Sequence, residues 1–155
     1  MAIVQFNNLT ETERNILFSA PAWVSYLIGG ADNNFDAKEI GQAQHVVRYR
    51  ITVGDPILFE YFSIINETFP TQLADLIEKY ESLQAPARTQ VLTDELSKLN
   101  EILPKIDSLY ARALAKSLRS LAKEIAEASG GFLGMLEISY EEKHLLGLEM
   151  INYED

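Results

Sequence analysis

Cysteine is absent from this chain of 155 residues. That absence excludes disulfides, thiolate metal sites and cysteine nucleophiles together, and it suits a reducing compartment. Histidine occurs only at His45 and His144, which leaves little material for imidazole catalysis. No uninterrupted apolar run approaches the roughly 20 residues of a membrane helix. The opening MAIVQFNNLTETERN has no basic stretch leading into an apolar one, so no signal peptide is expected. Phosphate-loop, nucleophile-elbow and zinc-protease motifs are missing. These absences point to a single cytoplasmic domain over residues 1–155 that is not an enzyme. Positive charge is scarce as well. With 13 Lys and Arg against 23 Asp and Glu, the net charge is −10, which argues against a nucleic-acid partner.

What the chain does have is helical periodicity. No segment shows the strict alternation of a half-buried strand, and the expected fold class is all-α, with seven or eight helices. Ile16, Leu17, Ala20, Trp23, Val24, Leu27 and Ile28 share one helix face, with Thr10 and Glu13 as a capping box ahead of them. Pro21 lies inside this pattern and predicts either a kink or two short helices. Gly29–Gly30 ends the run, because glycine reaches positive φ without strain. Asp36 and Glu39 open the next helix, through Ile40, Ala43, Val47 and Ile51. Asp55-Pro56 starts another, whose face of Tyr61, Phe62, Ile65 and Phe69 reads as the centre of the core. Pro70 is expected to close it, and Thr71 to open a separate helix. Pro86 begins a segment using Leu92, Leu96, Leu99 and Leu103. Residues 105–129 form the longest predicted helix, and a last one is expected from Ser139 to about Tyr153.

The two ends of the chain echo each other. LIGGADNNFDAKEI and ASGGFLGMLEISYEEKHL both run as helix, glycine pair, loop, apolar residue, cap and glutamate. They predict two pseudo-repeated helix–loop–helix units that would bring Glu39 and Glu142 together if the units pair. Each loop alone is also accounted for as a helix stop followed by a capping box. Asp32, Asn34 and Asp36 match the first three ligand positions of a calcium loop, where alternate side chains supply hard oxygens. The match ends there, since Ala37 and Ala43 occupy the required glycine and the closing glutamate positions. Glu39, one turn into the helix, is the substitute fourth oxygen.

The stretch Ala31-Asp32-x-x-Phe35-Asp36-x-x-Glu39 resembles the first acidic motif of the tellurite-resistance protein B (TerB-like) family, and Ser129-Gly130-Gly131 to Glu142 resembles a degenerate second copy. The likeness covers about residues 23–50 and 118–151. It implies a compact all-α stress-response domain of two similar halves, with a metal ion held between them at the matching positions Asp32, Asp36, Glu39 and Glu142; the calcium-loop spacing adds Asn34 and a divalent cation such as calcium.

Two other patterns carry chemistry. Glu141 and His144 form one E-x-x-H, the spacing of di-iron bundles, but the only near-partner, Gln42 to His45, puts an amide where a carboxylate is needed. Residues 105–123 hold five basic and one acidic side chain. Arg112, Lys116, Arg119 and Lys123 fall within roughly 60° of arc on the side away from Leu114, Leu121 and Ile125. This strip is either a solvated helix face or a docking strip for an acidic partner or a lipid head-group surface. The apolar ending LLGLEMINYED requires cover from the core or from a second subunit, so a homo-oligomer stays open.

Overall fold

A computed structural model describes residues 3–30, 37–129 and 145–153. The described chain is all-helical. Its five longer helices are α1 (Glu11–Gly29), α2 (Ala37–Val53), α3 (Phe59–Tyr80), α4 (Ala85–Ser97) and α5 (Ser108–Ser129). Between α4 and α5 come a single α-turn, Leu99–Ile102, and a 3-10 turn, Leu103–Lys105. No helix among the described residues is long and apolar enough to cross a membrane.

Among the described residues five longer helices stand where seven or eight were expected: Pro70 does not divide α3, Pro21 takes the single-helix alternative, and residues 130–144 lie outside the described residues. Pro21 lies inside α1 and Pro70 inside α3. A proline has no N–H to give the carbonyl four residues back, so a continuous helix leaves that oxygen orphaned. For Pro21 the orphan is the Leu17 carbonyl, and the Tyr61 hydroxyl of α3 donates to it at 2.6 Å. For Pro70 it is the Asn66 carbonyl. The Gln44 side-chain amide of α2 reaches that oxygen at 3.4 Å and the Asn66 Oδ1 at 2.5 Å. In both places a neighbouring helix supplies the donor that proline lacks.

Other helix ends follow their local sequence. Thr10 and Glu13 form the expected capping box at the start of α1. Asp55 accepts from the Ile57 N–H at 3.1 Å, opening the 3-10 turn Pro56–Leu58 that leads into α3. Gln84 precedes α4, with Pro86 in its first turn. The cap of α5 is Asp107, whose Oδ2 accepts from the Tyr110 N–H at 3.1 Å. The glycine stop of α1 works differently from the expectation. Gly30 has φ −91°, in ordinary territory, but a Cβ there would lie 2.7 Å from the Tyr26 carbonyl oxygen. Close approach, rather than positive φ, demands the glycine.

Lys105 pairs with Glu13 at 2.5 Å, joining the start of α1 to the turn before α5. Pro56 and Ile57 share a cleft with Tyr110, while Arg50 reaches Ser117, Ser120 and Glu124. Helix α2 therefore runs antiparallel to α5, and its first turn, with Glu39, stands toward the Ser129 end. The core is centred where the aromatic face was expected. Tyr61, Phe62, Ile65 and Phe69 are all buried, and Phe6 packs edge-on to Phe18, Tyr61 and Tyr110.

The described part of the predicted last helix is a correction. Only Leu145 and Leu146 are helical; residues 147–150 form turns and 151–153 have no regular structure. Leu148 adopts φ 48°, a left-handed conformation that β-carbon contacts disfavour by roughly 1–2 kcal/mol. It is fully buried there, and Ile151 is buried too, so the core of this chain covers both. Burial of a leucine side chain, worth about 1.5–3 kcal/mol, outweighs the backbone strain.

Candidate functional site

The outer face of α5 is shaped by what its inner face does. Tyr110, Ala111, Leu114, Ala115, Leu118, Leu121, Ala122, Ile125 and Ala126 are all buried. A stripe that wide fixes the rotation of the helix, so Arg112, Lys116 and Lys123 are turned outward and exposed. None of the three forms an ion pair with a described residue. Together they make a positive row, without an ion pair among the described residues, on a strongly acidic chain.

Arg119 belongs to the same row by spacing but is only half exposed. Its Nη2 donates to the carbonyls of Ile151 at 2.8 Å and Tyr153 at 2.7 Å. Asn100 completes the attachment, donating to the Met150 carbonyl at 2.8 Å and accepting from the Asn152 N–H at 2.7 Å. The returning C-terminal segment therefore occupies Arg119. No spacing rule could have separated it from Arg112, because the segment that covers it is about thirty residues further along the chain.

At the edge of α5, Arg50 is buried beneath a small polar network. It donates to Ser117 Oγ at 3.2 Å and Ser120 Oγ at 2.9 Å, and it pairs with Glu124 at 2.7 Å. Its Nε has no hydrogen-bond partner among the described residues. Burial lowers the Arg50 pKa, and the Glu124 carboxylate partly opposes that shift. Arg88 of α4 is the second buried arginine. It donates to the Gly30 carbonyl at 2.6 Å and lies 5.2 Å from the centre of the Tyr26 ring. A cation at the carboxyl end of α1 complements the helix dipole. Both arginines fall within helical patterns in the sequence, and nothing local marks them as buried.

Of the proposed cation ligands, only Glu39 is described; it is half-buried in the first turn of α2. Asp32, Asn34, Asp36 and Glu142 lie outside the described residues, as do Glu141 and His144. Among the described residues no group of three or more His, Cys, Asp or Glu side chains could hold a metal ion. The described residues alone therefore do not make a cation site. His45 is exposed on α2.

Clefts indent the surface formed by the described residues, two of them as follows. One, of about 290 Å³, is lined by Trp23, Gln72, Asp75, Lys79, Tyr80 and Glu95, among others. The other, of about 330 Å³, lies at the end of the bundle where Tyr110 meets the 3-10 turn Val4–Phe6 and the Pro56–Leu58 turn. Burial pushes the Tyr110 hydroxyl well above the usual phenol pKa, and the Glu60 carboxylate adds to that shift.

The described residues are thus all-helical, with a cationic row on the outer face of α5. No protein-family model, no curated protein and no solved structure matches the chain.

Proposed function

We propose that this chain is a non-enzymatic binding domain that docks an acidic protein partner on the outer face of α5. The observation that carries the reading is the exposure of Arg112, Lys116 and Lys123 without an ion pair to any described residue. Exposed charge of one sign on a chain of net charge −10 orients an approaching acidic surface and speeds the encounter. Arg119 supports the face from beneath by holding the C-terminal segment. The test uses a fluorescent Glu- and Asp-rich peptide as probe. Binding should weaken steeply between 50 and 300 mM salt and disappear in the Arg112→Glu, Lys116→Glu, Lys123→Glu triple variant, with its melting temperature unchanged. Equal binding by the triple variant would sink the reading.

A second reading joins the likeness to the TerB-like family with the calcium-loop spacing of Asp32, Asn34 and Asp36: a divalent cation, calcium being the first to try, bound by Asp32, Asn34, Asp36, Glu39 and Glu142 in a stress-response module. Its support is the acidic motif together with the half-buried position of Glu39 at the start of α2. Clustered carboxylates repel one another when empty, so a bound cation raises stability by mass action. A melt of metal-stripped protein with calcium, magnesium, manganese or zinc, repeated on Asp32→Ala with Glu39→Ala, tests it. No shift with any cation removes it.

A further inference from the structure

Resting on the reading of α5 as the face for an acidic partner, we propose that the partner's docking segment is a helix, acidic along one side and carrying an apolar anchor at one end. It lies along the seam between α2 and α5. The anchor seats on Tyr49, Val53 and Leu109, and the carboxylates run beside Arg112, Lys116 and Lys123.

Contacts on either side fix which residues edge the seam. Gln44 turns toward α3, where its amide meets Asn66, and Arg50 turns toward α5, where it meets Ser117, Ser120 and Glu124. At about 100° per residue, Tyr49 and Val53 fall beyond Arg50 on the side away from Gln44, so they border α5 rather than α3. On α5, Leu109, Arg112, Lys116 and Lys123 fall between Ser120, which faces α2, and Arg119, which holds the C-terminal segment. Because the two helices are antiparallel, Val53 at the end of α2 and Leu109 at the start of α5 share one end of the seam. There Tyr49 is 55 %, Val53 56 % and Leu109 65 % exposed, three large apolar side chains held in water at the foot of a cationic row.

Charge and backbone chemistry then select the occupant. Helices α2 and α5 carry seven basic and three acidic residues, whereas the rest of the chain has six basic and 20 acidic. An anionic bilayer would meet those remaining carboxylates as well, while a helix laid on the seam meets the positive region alone. An extended peptide would find no backbone partners on two helices that bond internally, and a helix brings its own bonds already made. Side-by-side helices also accept a third one between their ridges. At 1.5 Å of rise per residue, Arg112 and Lys116 stand about 6 Å apart along the axis and Lys116 and Lys123 about 10 Å, which carboxylates four and seven residues apart on a partner helix match.

The test uses two fluorescent helical peptides with the same row of glutamates. One has Leu and Phe one turn apart at one end; in the other both are Ala. The first should bind roughly 10-fold more tightly than the second. In the Val53→Thr, Leu109→Gln variant, changed only at exposed positions, that advantage should fall to about 3-fold or less while the Ala peptide binds as before. The Arg112→Glu, Lys116→Glu, Lys123→Glu variant should lose both peptides. Equal binding of the two peptides by the parent, or an advantage that survives Val53→Thr with Leu109→Gln, overturns the anchor and leaves the acidic-partner reading standing. Undiminished binding of both peptides by the charge-reversed variant overturns that reading and the inference with it. Sedimentation with phosphatidylserine vesicles without binding of either peptide assigns the seam to a bilayer and overturns the inference as well.

Discussion

Replacing Tyr61 with Phe should damage α1 through a single atom. The ring stays, so the fully buried packing around it is kept. What is lost is the 2.6 Å hydrogen bond to the Leu17 carbonyl. That oxygen has no helical donor, because residue 21 is proline, and the site is closed to water. An unsatisfied buried carbonyl costs roughly 1–3 kcal/mol. At the middle of that range, a domain of this size should melt about 4–8 °C lower. The decisive comparison is with Pro21→Ala. Alanine restores an N–H that points at Leu17, so in that background Tyr61→Phe should cost about 1 kcal/mol less. Urea unfolding followed by circular dichroism on the four proteins gives the coupling directly. If the two substitutions are additive within about 0.3–0.5 kcal/mol, the Leu17 carbonyl is not what joins them and the account of the unbroken helix fails.

The other predictions concern charge. Folding raises the pKa of Tyr26, Tyr61 and Tyr110, in each case chiefly by burial. Their contribution is fully present below the unfolded phenol value near ~10 and is lost as pH rises above it. Stability measured by urea unfolding should therefore fall between about pH 9.5 and 11, and less steeply in Tyr110→Phe; a flat profile in the parent protein contradicts the burial argument. Arg112→Glu should leave the melting temperature within about 1 °C, as is usual for exposed sites. Arg119→Glu should lower it by several degrees and raise hydrogen exchange at Asn152, which a merely solvated Arg119 would not do. At the buried network, Glu124→Ala should cost about 2–3 kcal/mol by stranding the Arg50 guanidinium, a figure at the low end because Glu124 is itself 39 % exposed. Arg50→Met should cost less than that, since it removes the buried charge and leaves Glu124 facing water. The reverse order would show Glu124 to be the buried partner.

The features read correctly from sequence are those determined within about one helical turn. Thr10 with Glu13, and Asp55 ahead of Pro56, set helix starts by contacts three or fewer residues long. The apolar faces were equally legible, because Leu92, Leu96, Leu99 and Leu103 are all buried, even though the segment breaks into a helix and two turns. The features that local sequence left open depend on distant residues. Whether α1 and α3 continue past proline depends on Tyr61 and Gln44, 44 and 22 residues from the oxygens they serve. Periodicity gives Arg119 the same direction as Arg112, Lys116 and Lys123, and it is blind to the segment folding back from residue 151 onto Arg119. Of the acidic loop, the spacing remains the whole argument for Asp32, Asn34 and Asp36. The Tyr110 cleft had no local signature, since it joins turns from three separate parts of the chain.

The donors at Pro21 and Pro70 also bear on the order of folding. An isolated α1 cannot use Tyr61, nor an isolated α3 Gln44, so each segment on its own should populate two half-helices separated at its proline. The full lengths become favourable only when α1, α2 and α3 have met. Secondary structure in this half of the protein is therefore a product of docking rather than a precursor of it, and a peptide spanning residues 11–29 should gain helix when mixed with one spanning 37–80.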